Sequence, residues 1–283
     1  MSAPAAQSPW PAPAKLNLML RVLGRRPDGF HELQTVFQFL DRCDLLHFET
    51  RRDGRIRRVT GPAEVPPQED LAVRAAQLLQ ARSGCRFGVD IWVDKRLPIG
   101  GGLGGGSSDA ATALVALKRI WKVGLPRADL MSLALSLGAD VPVFVSGHAA
   151  WGEGVGEILR PVVLPESWFV VLVPPCAVST AAVFSDPGLT RDSRSIKITD
   201  FLGGDDRNDC QGVVRRRYPQ VAEALDWLAR KGRGRLTGTG GCVFAAFETE
   251  DEARALHRSV PSQFSSFVAR GLNRSPLLER AAA

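Results

Sequence analysis

The sequence predicts an α+β protein made of two sandwich domains, and three observations lead there. Strand-like and helix-like segments follow one another without the uniform βαβ rhythm of a parallel sheet. A glycine-dense stretch, Pro98-Ile99-Gly100-Gly101-Gly102-Leu103-Gly104-Gly105-Gly106-Ser107-Ser108-Asp109, runs directly into an alanine-rich helical pattern. Pro161 and Pro165 punctuate the middle of the chain, so the domains are expected at residues 10–162 and 163–283. A length of 283 residues suits two modest domains or one large one.

The elements follow in order. The start, Met1 to Pro9, has neither the basic opening nor the apolar core of a secretory signal and reads as a disordered tail. Ala14 to Val22 alternates as a strand, and so does Phe87 to Asp94. Between them, Asp70 to Leu79 has helical spacing. Helices are predicted near 108–121 and 127–137, the second stopped by Gly138, and a hairpin near 148–160. The second half opens with a strand over Trp168 to Pro174, then a helix near 180–185 and an irregular polar stretch to Asp209. Helices near 210–231 come next. A second glycine turn, Leu236 to Gly241, feeds the apolar strand Cys242 to Phe247.

Composition narrows the class. Hydrophobic residues at 45% and charged residues at 23% are ordinary for a globular protein, and no apolar run approaches a membrane span of about 18 residues. The five cysteines are scattered with no Cys-x-x-Cys pair, which fits free thiols in a reducing cytoplasm. The net charge of +6 suits polyanionic small substrates. The basic stretches Arg215-Arg216-Arg217 and Arg230 to Arg235 lack interleaved aromatics, so they read as a solvated helix face and no nucleic-acid partner is expected.

The glycine loop carries the first chemical signal. Ordering six glycines is entropically costly, which points to positive φ angles or close contact with a ligand. A helix beginning just beyond it offers free N–H groups and the positive end of its dipole, so the loop reads as a phosphate cradle. The alternative is a flexible turn in which Ser107, Ser108 or Asp109 caps the helix. Gly100, Gly102 and Gly105 match G-x-G-x-x-G, but the acidic strand required of a dinucleotide fold is replaced by Val123-Gly124-Leu125-Pro126-Arg127. No lysine lies between Arg96 and Lys118, which excludes a Walker A loop, and the eukaryotic protein kinase motifs are absent.

Lys15 and Asn17 stand two apart in the first strand and face one way, with Leu16, Leu18 and Leu20 facing the other. Taken singly, Lys15 reads equally as a solvent-facing strand lysine. Asp140, two residues before Pro142, reads equally as a helix cap.

Four motifs occur in one order: Pro13-Ala14-Lys15-Leu16-Asn17-Leu18, the loop from Pro98 to Ser108, Gly138-Ala139-Asp140-Val141-Pro142-Val143-Phe144, and Leu236-Thr237-Gly238-Thr239-Gly240-Gly241-Cys242. Together they resemble the galactokinase–homoserine kinase–mevalonate kinase–phosphomevalonate kinase (GHMP) superfamily. Arg26-Pro27-Asp28-Gly29-Phe30-His31-Glu32-Leu33-Gln34-Thr35 and Gly147-His148-Ala149-Ala150 are most similar to its branch acting on cytidine diphosphate-linked methylerythritol.

That resemblance implies an N-terminal domain like the second domain of ribosomal protein S5 and a ferredoxin-like C-terminal domain, with ATP and substrate between them. It implies that Lys15 and Asp140 are the catalytic pair. The ATP phosphates would lie on Pro98, Ile99, Gly100, Gly101, Gly102, Leu103, Gly104, Gly105, Gly106, Ser107 and Ser108. Asn17, His31 and Thr180 would touch the substrate, and Phe30 and Phe184 would form an aromatic slot for cytosine. ATP is the implied cosubstrate with Mg²⁺, and the enzyme is expected to be cytoplasmic, a monomer or weak homodimer with no membrane partner. The expected reaction moves the γ-phosphate to the 2-hydroxyl of methylerythritol, a step of isoprenoid precursor synthesis outside the mevalonate route. Other superfamily kinases, such as homoserine or mevalonate kinase, are the alternative, and a non-catalytic nucleotide binder is the alternative of another class. The chain departs from the family pattern at Phe30, usually tyrosine, at Asp70, usually asparagine, and at Gly241, often alanine.

Overall fold

Two long antiparallel strands, β1 (Trp10–Arg25) and β2 (His31–Arg51), form the spine of the molecule. The computed structural model describes residues 8–282, so residues 1–7 of the expected tail lie outside the described residues. A tight turn joins the strands, with Arg26 N donating to Phe30 O and Gly29 at φ +88°. The register slips between Asn17 and Met19, where Leu18 is an extra residue on β1. Such a bulge turns every later side chain to the other face. Leu20 therefore joins Lys15 and Asn17 on the cavity side, correcting the expectation that it would share a face with Leu16 and Leu18.

The first half continues with β3 (Ile56–Thr60), α1 (Leu71–Ser83), β4 (Gly88–Asp94), α2 (Gly105–Ile120), α3 (Arg127–Leu137), α4 (Val141–Ser146) and the hairpin β5 (Ala150–Gly154) and β6 (Ile158–Pro161). β4 and β5 both pair with β2, leaving β3 at the edge, parallel to β4. The second half runs β7 (Trp168–Val173), α5 (Thr180–Ser185), α6 (Ile198–Leu202), α7 (Cys210–Arg217), α8 (Pro219–Ala229), β8 (Arg235–Leu236), β9 (Val243–Phe247), α9 (Glu250–His257), β10 (Ser265–Leu272) and α10 (Pro276–Ala282). β10 pairs with β7 and, at Gly271 and Leu272, with β2, so one ten-stranded sheet runs through both halves. Among the described residues no helix is long and apolar enough to cross a membrane.

The helix expected near 108–121 begins three residues earlier. Gly104 takes the left-handed conformation at φ +73° and occupies the cap position, and no side chain caps the helix. The reading of Ser107, Ser108 or Asp109 as the cap is thereby excluded. Gly105, Gly106 and Ser107 instead form the first turn of α2. Further along, Ala110, Ala111, Ala113 and Ala116 are sealed, so α2 packs closely on α1 and β1. Leu114 and Leu117 anchor that face, each stabilising the fold by about 1.5–3 kcal/mol. A second core surrounds α7 and α8, and a third, holding Leu16, Met19, Phe169, Cys242 and Phe244, joins the halves behind the site.

Candidate active site

A cavity of about 920 Å³ opens between the two halves. Alternate residues of β2, namely His31, Leu33, Thr35 and Phe37, form one wall, as the period of a strand requires. The glycine loop, the second glycine turn and α5 close the other sides.

The loop is held by its carbonyls. Gly101 O accepts from Cys242 N at 2.9 Å, Leu103 O from Lys15 N at 2.9 Å, and Gly102 O from Lys15 Nζ at 3.1 Å and Thr237 Oγ1 at 3.3 Å. Carbonyl and N–H point oppositely across a trans peptide, so the N–H groups of Gly102, Leu103 and Gly104 turn away from these protein partners. With the uncapped first turn of α2 they make an anion-binding nest. Gly104 admits no side chain, because a Cβ there would stand 2.8 Å from Phe144 Cζ and 3.1 Å from Lys15 Cε. All the predicted loop residues except Ser108 line the cavity; Ser108 is turned into the protein, and its hydroxyl has no partner.

Lys15 is sealed, which rules out the solvent-facing reading. Its ammonium lies 3.1 Å from Asp140 Oδ2 and donates to Asn17 Oδ1. Asp140 precedes α4, yet its side chain makes no capping hydrogen bond, so the helix-cap reading fails as well. Asn17 Nδ2 donates to Thr35 Oγ1 at 2.8 Å, and the Thr35 hydroxyl donates to Met19 O at 2.6 Å. Asn17 thus orients Lys15 and keeps one amide N–H free. Gly238, at φ +57°, packs against Asn17 Oδ1, while Asn208 Nδ2 donates to Leu236 O and Gly238 O and pins this second glycine turn.

A cation also stands beside the loop, paired with two carboxylates. Lys95 Nζ sits 2.6 Å from Asp44 Oδ2 and 2.7 Å from Asp109 Oδ2, beside Gly105. Burial pushes the Asp109 carboxyl up to about 7, partly opposed by Lys95. Burial lowers the Lys95 pKa, but the two carboxylates outweigh it and the net shift is upward. Both partners of one pair rise because two carboxyls face one cation. Asp44 also accepts from Arg96 N and Leu97 N, support that Asp109 lacks.

At the far end, the His31 and Phe184 rings stack on each other with centroids 4.9 Å apart and planes at 22°. The imidazole thus covers part of one face of Phe184, and Phe30 stands 60% exposed at the rim. Arg191 Nε donates to His31 Nε2 at 3.2 Å. Burial first, then the charges of Arg191 and Arg25, push the His31 pKa below its ordinary value. Thr180 Oγ1 and Thr239 Oγ1 are 2.8 Å apart, tying α5 to the second glycine turn. Asp70 caps α1 by accepting from Ala72 N and pairs with Arg58 at 2.7 Å, both side chains 8% exposed, so the charge brought by the departure from asparagine is neutralised in place.

The structure thus gathers Lys15, Asn17, Asp140 and the loop at one end, and Phe30, His31, Thr180 and Phe184 along the same cavity. Lys95, Thr35, Thr237, Arg191 and Asn208 escaped the sequence reading. Thr35 and Thr237 stand inside the motifs around His31 and Gly238, where nothing sets either apart from its neighbours; Lys95, Arg191 and Asn208 carry no local signal.

Models of two families match the chain: that of the GHMP kinases N terminal domain over residues 70–148 and that of the GHMP kinases C terminal over residues 190–266. The 4-diphosphocytidyl-2-C-methyl-D-erythritol kinase of Pseudomonas paraeruginosa is 58% identical over 94% of this chain and 95% of its own length. That of Alkalilimnicola ehrlichii is 58% identical over 96% of this chain and 93% of its own. A crystal structure of 4-(cytidine 5'-diphospho)-2C-methyl-D-erythritol kinase superposes with a TM-score of 0.80 at 33% identity, covering 93% of this chain and 99% of that one. Homoserine kinase from Cytophaga hutchinsonii shares the fold, with a TM-score of 0.66 at 15% identity over 97% of this chain and 98% of its own.

Proposed function

The chain belongs to the GHMP kinase family, and from that premise we propose that it transfers the γ-phosphate of ATP to the 2-hydroxyl of 4-diphosphocytidyl-2-C-methyl-D-erythritol. It is an ATP-dependent small-molecule kinase. One observation carries the reading within the family. The Lys15–Asp140 pair and the glycine loop share a single cavity with the aromatic cluster of Phe30, His31 and Phe184, which suits a substrate carrying a pyrimidine. Homoserine and mevalonate have no ring for such a cluster to hold.

The mechanism follows from positions. Phosphoryl transfer through a loose transition state needs alignment and charge neutralisation more than covalent help. The loop amides and the first turn of α2 hold the nucleotide phosphates. Lys15, locked by Asn17 and Gly102 O, places its charge where the transferred group passes. Asp140, more open than its partner, accepts and orients the proton of the attacking hydroxyl. Phe30 and Phe184 take the pyrimidine with its polar edge toward His31, Thr180 lies along the path between, and Asn17 offers its free N–H to the substrate. Mg²⁺ would enter with the nucleotide and needs no more than one or two protein oxygens besides the phosphates and water. When bound, it supplies neutralising charge to those phosphates.

A division at 162/163, placing β1 to β6 in one domain, is supported by the two family models matching on either side of it. A cytoplasmic monomer or weak dimer is part of the same proposal.

The test is ADP release from ATP with the cytidylylated methylerythritol, homoserine or mevalonate as acceptor, with product phosphorylation followed by ³¹P NMR. Turnover requiring the cytidylylated acceptor is expected. Turnover of homoserine or mevalonate in its place, or equal turnover of methylerythritol phosphate lacking the nucleotide, overturns the reading.

A further inference from the structure

We propose that Arg191 sets the base selectivity of the site by holding His31 in the tautomer that carries its proton on Nδ1. The inference rests on the cytidine-linked substrate proposed above, and it concerns a positioning residue that acts through another.

The geometry leaves one assignment for the imidazole. Arg191 Nε–H points at His31 Nε2 from 3.2 Å. A guanidinium has five donors, no acceptor and no accessible neutral form. The ring nitrogen facing it must therefore be the acceptor, and a neutral ring then bears its hydrogen on Nδ1. The arginine cannot swing aside, because Nη1 donates to Leu189 O at 3.1 Å and Nη2 to Phe184 O and Asp186 O, each at 2.8 Å. Those three carbonyls lie on α5 and the turn after it, so the same guanidinium fixes the segment bearing Phe184. Stacking on Phe184 fixes the plane of the imidazole. The charges acting on His31 are Arg191 and Arg25, and together with burial they favour the neutral ring.

Nδ1 has no hydrogen-bond partner among the described residues and is not sealed from the cavity that His31 lines. A fixed N–H donor at a pyrimidine site discriminates by the sign of the atom it meets. Cytosine presents an unprotonated N3, which accepts. Uracil presents N3–H, so two donors would face each other and a buried group would go unpaired, the circumstance in which polar sites reject most strongly. The opposite tautomer would reverse the preference. Stacking by itself accepts either base.

Two measurements test this on the full-length enzyme. In ¹⁵N-histidine-labelled protein, with the His31 ring assigned from the H31N variant, long-range ¹⁵N–¹H correlation spectra should show Nδ1 protonated and Nε2 bare. The opposite pattern overturns the proposal. Separately, CDP and UDP are titrated calorimetrically into wild type, Arg191→Met and Arg191→Lys, with KM and kcat measured for the cytidylylated substrate. Wild type should prefer CDP, and Arg191→Met should erode that preference by about tenfold, the value of one hydrogen bond. The loss should fall on KM rather than kcat, and Arg191→Lys, which keeps a cationic donor, should recover part of the preference. An undiminished CDP preference in folded Arg191→Met, or none in wild type, overturns the proposal. If Arg191→Met does not fold, the tautomer and the Arg191→Lys ratio decide. Failure of wild type to phosphorylate the cytidylylated substrate would instead strike the substrate reading, leaving the tautomer measurement intact.

Discussion

Lys15 and Asp140 form an ion pair 3.1 Å long whose members sit on opposite sides of the cavity surface, the lysine 2% exposed and the aspartate 38%. The cation is a fixture of the protein interior, and in the proposed mechanism the carboxylate is the member that meets the acceptor. Asp140→Asn keeps the shape and removes proton acceptance, so kcat should fall about 10²–10⁴-fold, the usual range for a general base. Thermal melting should be unchanged. A loss in kcat of less than about tenfold would leave Asp140 with a structural role only.

Lys15→Met retains the buried stem and deletes the charge. Because the proposed mechanism rests the nucleotide mainly on loop amides, steady-state kinetics should show kcat falling much further than KM for ATP rises. A change confined to KM would make Lys15 a phosphate-holding residue.

Gly106 is the position at which to block the phosphate cradle without disturbing its supports. It lies in the first turn of α2, and a Cβ there would meet only Leu71 Cδ1, at 3.7 Å. Gly106→Val should raise KM for ATP severalfold at constant thermal stability, since its branched side chain stands over the free amides. Unaltered ATP affinity by titration would place the phosphates elsewhere. Gly104→Val would be uninformative, because it collides first with Phe144 and Lys15.

Phe184→Ala should weaken cytidine and uridine ligands both, cytidine the more, because it also removes the ring that fixes the plane of His31. Base stacking is worth about 1–3 kcal/mol and is indifferent to the polar edge of the ring. Unchanged uridine binding would mean that Phe184 does not stack on the base.

Asp109 gives the fold a pH signature. Its carboxyl, pushed up to about 7 from 3.8, holds its proton more tightly folded than unfolded. The sign follows from linkage: this contribution is complete below the unfolded value and is lost as pH rises through the folded one. Between about pH 4 and about pH 7 the melting temperature of wild type should therefore fall relative to that of D109N, whose amide cannot ionise. Parallel melting curves for the two proteins across this interval would show that Asp109 is charged throughout.

The parts of the site legible in the sequence were those where a local cost advertises itself. Six glycines before a helix are hard to explain otherwise, and Lys15 and Asp140 became readable through their order with the other motifs. β2, the longest strand, produced no signal because its centre is buried on both faces. Gln34, Thr35 and Gln38 are sealed there beside Val36, Phe37, Phe39 and Leu40, so no alternation of polar and apolar residues survives. Leu20 was assigned to the wrong face because a bulge leaves no mark in composition. Arg191 lies in an irregular polar stretch 160 positions from His31, a pairing that only the folded chain creates.

Leu277, near the end of the chain, is sealed in the core of the first half, and the Arg280 guanidinium lies 5.0 Å from the ring of Trp10. A ribosome makes these residues only after both halves of the sheet. While the second half is being made, the core around α2 stays open on the side that α10 will cover, and β2 waits for the strand that pairs with Leu40. Folding of the first half cannot be completed during its own synthesis. Until Leu277 has emerged, the nascent chain carries apolar surface that the folded protein covers.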